Sequence, residues 1–212
     1  MEEQTITRLT TADNKRFADL GYDRKFHRLI AICETHDDSG VSNSIVSIDI
    51  SSGELTTLEQ GNDFYASPRP NAAGTSLCWQ TWNHPNMPWD GNQLWLATLD
   101  ENGLIQNSAH IAGAEDVSTF QPQWSPDDIL HYISDDTGWW HLYRYANDNP
   151  AQQLTHENKE LGAPQWVFAQ STYAFINSTT IICRYLSHGK ATLATLSLVE
   201  QPKLTPIESE CP

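Results

Sequence analysis

Three segments of this 212-residue chain are expected to be neighbours, and together they offer five carboxylates beside three tryptophans, a combination that can bind an ammonium group. A carboxylate pairs with the positive charge, and an indole ring adds a cation–π contact of about 0.5–2 kcal/mol. The segments are 84–91, 113–116 and 135–141. They supply the candidate ligand-binding residues: His84, Trp89, Asp90, Glu115, Asp116, Asp135 and Asp136.

Several of these residues also have a purely structural interpretation, which the sequence leaves open. Residues 135–138 have the composition of a hairpin turn, and Trp139 and Trp140 are then expected to pack between sheets. His84 can order its own loop through a hydrogen bond. Glu115 and Asp116 lie in no obvious turn motif, so they are the favoured partners for a ligand's ammonium group.

The residues needed for hydrolysis or metal chemistry are not recognisable in this sequence. A serine hydrolase of the α/β type needs Gly-x-Ser-x-Gly between a strand and a helix. The nearest strings, at 40–44 and 74–78, lack the second glycine. None of the eight histidines has zinc-site spacing, and no glycine-rich phosphate loop is present. We predict that this chain has no catalytic residue, no metal site and no cofactor.

The amino-acid composition limits the cellular compartments and the kinds of binding partner that are expected for this chain. A net charge of −15 disfavours nucleic acid, because phosphate binding needs clustered Lys and Arg. The sequence has no run of eighteen apolar residues, and its first residues do not resemble a signal peptide, so a membrane partner is not expected. Cys33, Cys78 and Cys183 each sit in an apolar strand-like segment, which predicts buried thiols in a reducing compartment. A cytoplasmic location is the expectation.

A repeat of about fifty residues must position the candidate residues. Apolar segments marked by Ile45, Leu94, Leu142 and Leu193 recur at spacings of 49, 48 and 51 residues. Periods of about 40–50 residues containing several short strands are typical of β-propeller blades. We therefore predict an all-β propeller of about four four-stranded blades. The predicted blades are 16–59, 63–112, 119–155 and 162–205, with an orphan strand at 4–9.

The orphan strand favours an arc from a larger propeller of seven or eight blades over a closed ring of four. An arc leaves blade flanks uncovered, so self-association through those flanks is also expected. Connections on one face are predicted to be longer than those on the other, and this face is the candidate working surface. The long connections are 35–43, 61–64, 83–92, 113–119, 135–140 and 156–162.

Five segments carry a family resemblance: 63–69, 82–91, 120–127, 134–144 and 162–168. They include the His84-to-Gly91 loop and the Trp139-Trp140 pair. Through them the chain resembles the N-terminal propeller of the dipeptidyl aminopeptidase/acylaminoacyl-peptidase branch of prolyl-oligopeptidase-like serine peptidases. In that family the propeller precedes an α/β-hydrolase domain, which this chain lacks.

The resemblance implies a non-catalytic propeller that gates access and selects short peptides for its own C-terminal hydrolase domain. Glu115 and Asp116 are then expected to hold the free amino end of a peptide. The parent protein is expected to be a serine exopeptidase. The alternative from a different class is a stand-alone propeller scaffold that binds a protein partner.

Overall fold

The computed structural model describes residues 6–146, 150–156 and 158–208, and within them it contains four antiparallel sheets of four strands. In each sheet the strands are adjacent in chain order, which is the blade topology that the repeat predicts. The blades comprise β1 Lys15–Asp23, β2 Arg28–Asp37, β3 Gly40–Asp49 and β4 Leu55–Gln60; β5 Phe64–Pro70, β6 Ser76–Trp82, β7 Gln93–Leu99 and β8 Ile105–Gly113; β9 Thr119–Trp124, β10 Leu130–Ser134, β11 His141–Tyr145 and β12 Gln152–Gln153; β13 Tyr173–Asn177, β14 Thr180–Ser187, β15 Lys190–Ser197 and β16 Lys203–Pro206.

Apolar cores lie between successive blades. Ile30, Ile32 and Ile45 of blade 1 pack against Tyr65, Leu77 and Trp79 of blade 2. Similar buried clusters join blade 2 to blade 3 and blade 3 to blade 4. The alternation of side chains along each strand lets the middle blades bury both of their faces. The four blades are therefore stacked side by side around one axis, and the predicted fold class is confirmed.

The outer face of blade 4 is only partly covered. Ile176 and Leu193 are 57% and 47% exposed, whereas Ile181 and Leu196, which face blade 3, are fully buried. The outer face of blade 1 is better protected, because Leu9 packs against its buried residues Cys33, Val46 and Ile48. The described blades therefore have one open flank, on blade 4, and one flank, on blade 1, that Leu9 partly covers.

Three sequence predictions need correction, and the first concerns residues 6–9 of the orphan strand. No strand is assigned there, and residues 4 and 5 lie outside the described residues. A strand needs a hydrogen-bonded neighbour, and in the described part of the chain no ladder pairs with this segment. Leu9 contributes an apolar contact to blade 1 instead.

The second correction concerns 163–167, which the sequence assigned to blade 4. Its Pro-Gln-Trp string repeats that of Pro122-Gln123-Trp124, which lies in β9, and so it imitates an innermost strand. In the structure β13 already pairs with β14 as the innermost strand of blade 4. Because β13 occupies the inner edge of that sheet, the second Pro-Gln-Trp string lies in the connection between β12 and β13.

The third correction concerns 35–43, which was predicted to be a long loop. It forms the ends of β2 and β3, whose pairing continues to Asp37 and Gly40 around a turn at residues 38 and 39. The sequence hid this extension because the hairpin projects into solvent, so it lacks the apolar alternation that marks a strand.

Polar side chains near the axis connect blades that the apolar cores also join. Asp19, Ser67 and Gln121 have left-handed backbone angles in the innermost strands β1, β5 and β9. The Asp19 carboxylate accepts a hydrogen bond of 2.7 Å from the Ser67 backbone N–H of the next blade. The Gln121 amide oxygen likewise accepts one of 2.7 Å from Thr172 N–H, just before blade 4. The first bond satisfies a backbone donor at the irregularity in the pairing of β5 with β6, and the second holds the residue that precedes β13.

Cys33, Cys78 and Cys183 are buried free thiols, as predicted. Burial raises the pKa of Cys78 to about 12 and that of Cys183 to about 11. Both therefore remain protonated at neutral pH, and their role is to fill space in the cores between blades.

The buried His131 at the boundary between blades 3 and 4 predicts a pH dependence of stability. Its ring packs edge-on against Phe175, with 5.0 Å between ring centroids, and its Nδ1 lies 3.1 Å from the Ile129 carbonyl oxygen. Burial lowers the pKa of His131 to about 4, helped by the Arg144 charge, while the Ile129 carbonyl and Asp127 oppose the shift. The native state thus favours the neutral ring.

We expect the stabilisation that the neutral His131 ring gives the native state to be complete above about pH 6.5 and to be lost as the pH falls towards 4. In that window the unfolded chain binds the proton and the native chain does not, which costs about 3 kcal/mol in the free energy of unfolding. His131→Asn retains a donor for Ile129 but does not titrate. Urea unfolding at pH 7.5 and 4.5 should show a smaller pH effect in the variant. Equal pH effects in the two proteins would contradict this prediction.

Candidate functional site

The loop between β6 and β7, residues 83–92, is the longest hairpin connection of the four blades. Successive strands alternate in direction, so it shares one face of the propeller with the segment 114–118 and with the hairpin loop 135–140. The structure brings these three segments into contact. Asn86 Nδ2 donates to the Glu115 carbonyl at 2.6 Å, and Ser118 N–H donates to Asp135 Oδ1 at 2.7 Å.

Gly91 and Glu115 meet backbone to backbone. A Cβ atom added at Gly91 would lie 2.0 Å from the Glu115 carbonyl oxygen, closer than any real contact. Only glycine allows this approach, which sets the position of Glu115 relative to the 83–92 loop.

A buried amide holds the same loop to blade 3. Asn92 Nδ2 donates to the carbonyls of Pro88 and Thr119, each at 2.8 Å, while Asn92 Oδ1 accepts from Thr119 N–H at 3.0 Å. Gln80 Nε2, also fully buried, donates to the Thr119 carbonyl at 2.6 Å. Neither residue was predicted as a candidate from the sequence. The available signal was a glutamine directly after the apolar run Leu77-Cys78-Trp79 of β6.

A pocket of about 230 Å³ lies between the 83–92 loop and residues 114–115. Its lining combines Thr, Asn and Gln residues, His84 and Glu115 with Trp82 and Pro85. A second and larger depression, between blades 1 and 2, shares His84 with the first. The residues that line the first pocket are Thr81, Trp82, Asn83, His84, Pro85, Asn86, Gly91, Asn92, Gln93, Ala114 and Glu115.

Glu115 and Asp116 are exposed, and within the described residues neither carboxylate makes a hydrogen bond or an ion pair. Glu115 reaches the pocket wall, while Asp116 is the next residue of the same short segment. His84 contacts Phe64 edge-on at 5.0 Å between ring centroids, and its backbone N–H donates to Asp63. The structure therefore places Glu115 and His84 in one pocket.

The other predicted carboxylates serve the loops themselves. Asp90 Oδ2 accepts a 2.9 Å hydrogen bond from Met87 N–H, and Asp136 Oδ1 accepts a hydrogen bond from the Tyr143 hydroxyl group. Asp135 joins its hairpin to Ser118, and partial burial raises its pKa, an effect to which Asp136 and Glu160 add. The Ser118 N–H opposes the shift. The observed contacts of Asp135 and Asp136 are therefore those of residues that order a hairpin loop, as in their structural interpretation.

The three predicted tryptophans have different environments. Trp140 is half-buried, and its ring contacts Phe120 edge-on, so it packs between blades as the structural interpretation expected. Trp139 is 37% exposed in the same hairpin loop. Trp89 pairs with Trp166, a residue from the connection between blades 3 and 4, with 4.2 Å between the ring centroids.

Within the described residues, no group of three or more His, Cys, Asp or Glu side chains is arranged to hold a metal ion. The same part of the chain has no helix that is long and apolar enough to cross a membrane.

These features define a propeller in which the face that carries the loops 83–92, 114–118 and 135–140, here called the elaborated face, has an open pocket with Glu115 in its lining. The chain matches a solved puromycin-hydrolyzing peptidase of Mycobacterium tuberculosis with 27% identity and a TM-score of 0.84, over 93% of this chain and 32% of that one. A puromycin hydrolase matches with 24% identity and a TM-score of 0.83, over 92% of this chain and 31% of that one.

A third match shows the fold alone. Prolyl oligopeptidase B from Galerina marginata has 11% identity and a TM-score of 0.68, over 92% of this chain and 28% of that one. No protein-family model and no curated protein matches the sequence. The solved structures confirm the resemblance to the N-terminal propeller of prolyl-oligopeptidase-family peptidases. The chain spans about a third of the length of those proteins.

Proposed function

We propose that this chain is the propeller portion of a serine peptidase of the dipeptidyl aminopeptidase/acylaminoacyl-peptidase branch, where it gates access and selects short peptides. The observation that carries the proposal is the 27% identity with a puromycin-hydrolyzing peptidase over 93% of this chain. In this proposal the bond-breaking residues belong to a C-terminal α/β-hydrolase domain. The propeller contributes walls and binding groups, and the parent protein works in the cytoplasm.

The elaborated face supplies groups suited to the amino end of a peptide. The Glu115 carboxylate can accept a charge-assisted hydrogen bond from an ammonium group, and Asp116 adds negative potential beside it. Asn83, Asn86 and Gln93 line the same pocket, and residues of this type can bond to peptide carbonyl and N–H groups. Because neither carboxylate has a protein partner among the described residues, both are available for this role.

Replacing both Glu115 and Asp116 by lysine, in the protein that includes the hydrolase domain, tests this assignment. We expect kcat/KM for dipeptide substrates with a free amino group to fall about 10- to 100-fold, the range for losing a hydrogen bond to a charged group. N-acylated dipeptides lack the ammonium charge and should change little. The measurement is a comparison of kcat/KM for matched free and acylated substrates.

Glu101→Lys is the matched control, since Glu101 is exposed in the β7–β8 turn on the opposite face. It changes the net charge without touching the pocket, so both substrate classes should retain their rates. Equal losses for free and acylated substrates in the double variant would remove the role of Glu115 and Asp116.

A second candidate, a stand-alone scaffold for a protein partner, is favoured by one observation. Trp166, Val167 and Phe168 form a run of three exposed apolar residues on the connection between blades 3 and 4. Exposed apolar patches often mark protein interaction sites. The coding sequence after residue 212 separates the candidates: Gly-x-Ser-x-Gly in a following domain supports the peptidase, and a stop codon there supports the scaffold.

A further inference from the structure

The connection between β12 and β13 carries Trp166 across the elaborated face to Trp89 of blade 2. The two rings are 4.2 Å apart between centroids and tilted by 43°. Trp89 comes from the β6–β7 loop, so the pair joins two segments that are 77 positions apart in the sequence. Such close aromatic pairing across distant segments indicates a defined arrangement and not a chance surface contact.

Both ends of the pair are held by backbone contacts. Trp166 N–H bonds to the Pro164 carbonyl at 3.1 Å and to Gln170 Oε1 at 3.3 Å. On the other side, the Pro88 carbonyl next to Trp89 accepts from the buried Asn92 amide. The backbone at Trp166 and next to Trp89 is therefore held by hydrogen bonds.

The pair is nevertheless open to solvent. Trp166 is 71% exposed, and Val167 and Phe168 beside it are also exposed. Trp89 is half-buried, so its ring is partly covered by neighbouring residues, whereas the Trp166 ring is mostly in contact with solvent. An exposed apolar surface of this kind favours a ligand that covers it, because burial of that surface is favourable.

The pair also lies close to the Glu115 pocket along the chain. Trp89 is two residues before Gly91, whose backbone touches that of Glu115. Residues 88–90 form a turn, in which the Gly91 N–H donates to the Met87 carbonyl at 3.4 Å. The tryptophan pair and the Glu115 backbone are therefore joined through one compact turn.

We propose that Trp89 and Trp166 form a subsite for an aromatic side chain near the amino end of a peptide whose ammonium group is bound by Glu115. The inference rests on the proposed function and narrows it to peptides with such a residue. An aromatic occupant fits because a third ring can add edge-to-face or offset-stacked contacts to the open side of Trp166.

Calorimetric titration of the 212-residue chain with Phe-Gly-amide and Gly-Gly-amide tests the subsite. We expect Phe-Gly-amide to bind at least 10-fold more tightly, and Trp166→Ala to remove most of this preference. Trp139→Ala is the matched control, since Trp139 is exposed on the same face but outside the pair. Because both side chains are exposed, the melting temperatures of both variants should stay close to that of the wild type.

N-acetyl-Phe-Gly-amide separates the two proposals. If acetylation has no effect but Trp166→Ala still abolishes the phenylalanine preference, the amino-end assignment to Glu115 fails and the aromatic subsite stands. Equal affinity for the two amides, no binding of Phe-Gly-amide at millimolar concentration, or equal effects of the two tryptophan variants overturns the subsite. If Trp166→Ala dissociates a dimer in sedimentation while leaving the preference intact, the surface binds a second copy and the inference is wrong.

Discussion

Asp23→Ala should destabilise the chain by about 3–5 kcal/mol, because it removes one partner of a buried ion pair. Asp23 Oδ2 lies 3.0 Å from Arg28 Nε, and the two side chains are 0% and 7% exposed. Arg28 also donates to the Gly103 carbonyl of blade 2 at 2.6 Å. Without the carboxylate, a guanidinium remains buried between two blades with its charge uncompensated.

The expected loss is measured as the free energy of unfolding in urea at pH 7. Asp13→Ala provides the control, since Asp13 pairs with Arg8 at 2.8 Å in a bridge whose side chains are largely exposed. Surface pairs of this kind contribute about 0–1 kcal/mol, so the control should remain close to the wild type. Similar losses in the two variants would show that the buried pair has no special role between blades 1 and 2.

Gly91→Ala should separate the 83–92 loop from Glu115 and thereby disrupt the candidate pocket. The added methyl group would lie 2.0 Å from the Glu115 carbonyl oxygen, so one of the two backbones must move. Overpacking of this kind costs about 1–3 kcal/mol in stability. We expect affinity for a peptide amide with a free amino group to fall at least 10-fold, since the pocket wall and the position of the Glu115 carboxylate change together.

Gly138→Ala is a suitable comparison in the neighbouring hairpin loop. A Cβ atom there meets nothing within 4 Å, although the φ of +79° makes alanine unfavourable by about 1 kcal/mol. It should therefore lower the melting temperature slightly and leave peptide affinity unchanged. Retained affinity in Gly91→Ala would mean that the Gly91–Glu115 contact does not position the binding carboxylate.

The repeat made most of the fold predictable, because it depends on local alternation and on turn residues that the sequence displays. The four sheets of four strands follow the repeat, whereas the extended hairpin of β2 and β3 replaces a predicted loop. Blade 4 was misread at 163–167, where a Pro-Gln-Trp string identical to that of β9 lies outside any strand. A local pattern cannot show that β13 already occupies the innermost position of that sheet.

The candidate site was less predictable, since it depends on contacts between segments. The sequence suggested that the loops containing Asp90, Glu115 and Asp135 are neighbours, but not which carboxylates remain free. Met87 and Ser118 N–H groups bind Asp90 and Asp135, and no pattern of spacing reveals those partners. The pairing of Trp89 with Trp166 was equally hidden, because Trp166 was assigned to a strand.

The uneven protection of the two outer flanks determines which blade unfolds locally first. Each blade is stabilised mainly by its immediate neighbours, as in other repeat proteins. Among the described residues, blade 4 has a neighbouring blade on one side only, whereas Leu9 adds cover to blade 1. Amide hydrogens should therefore exchange fastest in β15 and β16 and progressively more slowly towards β6, so that the chain unzips from its carboxyl-terminal sheet.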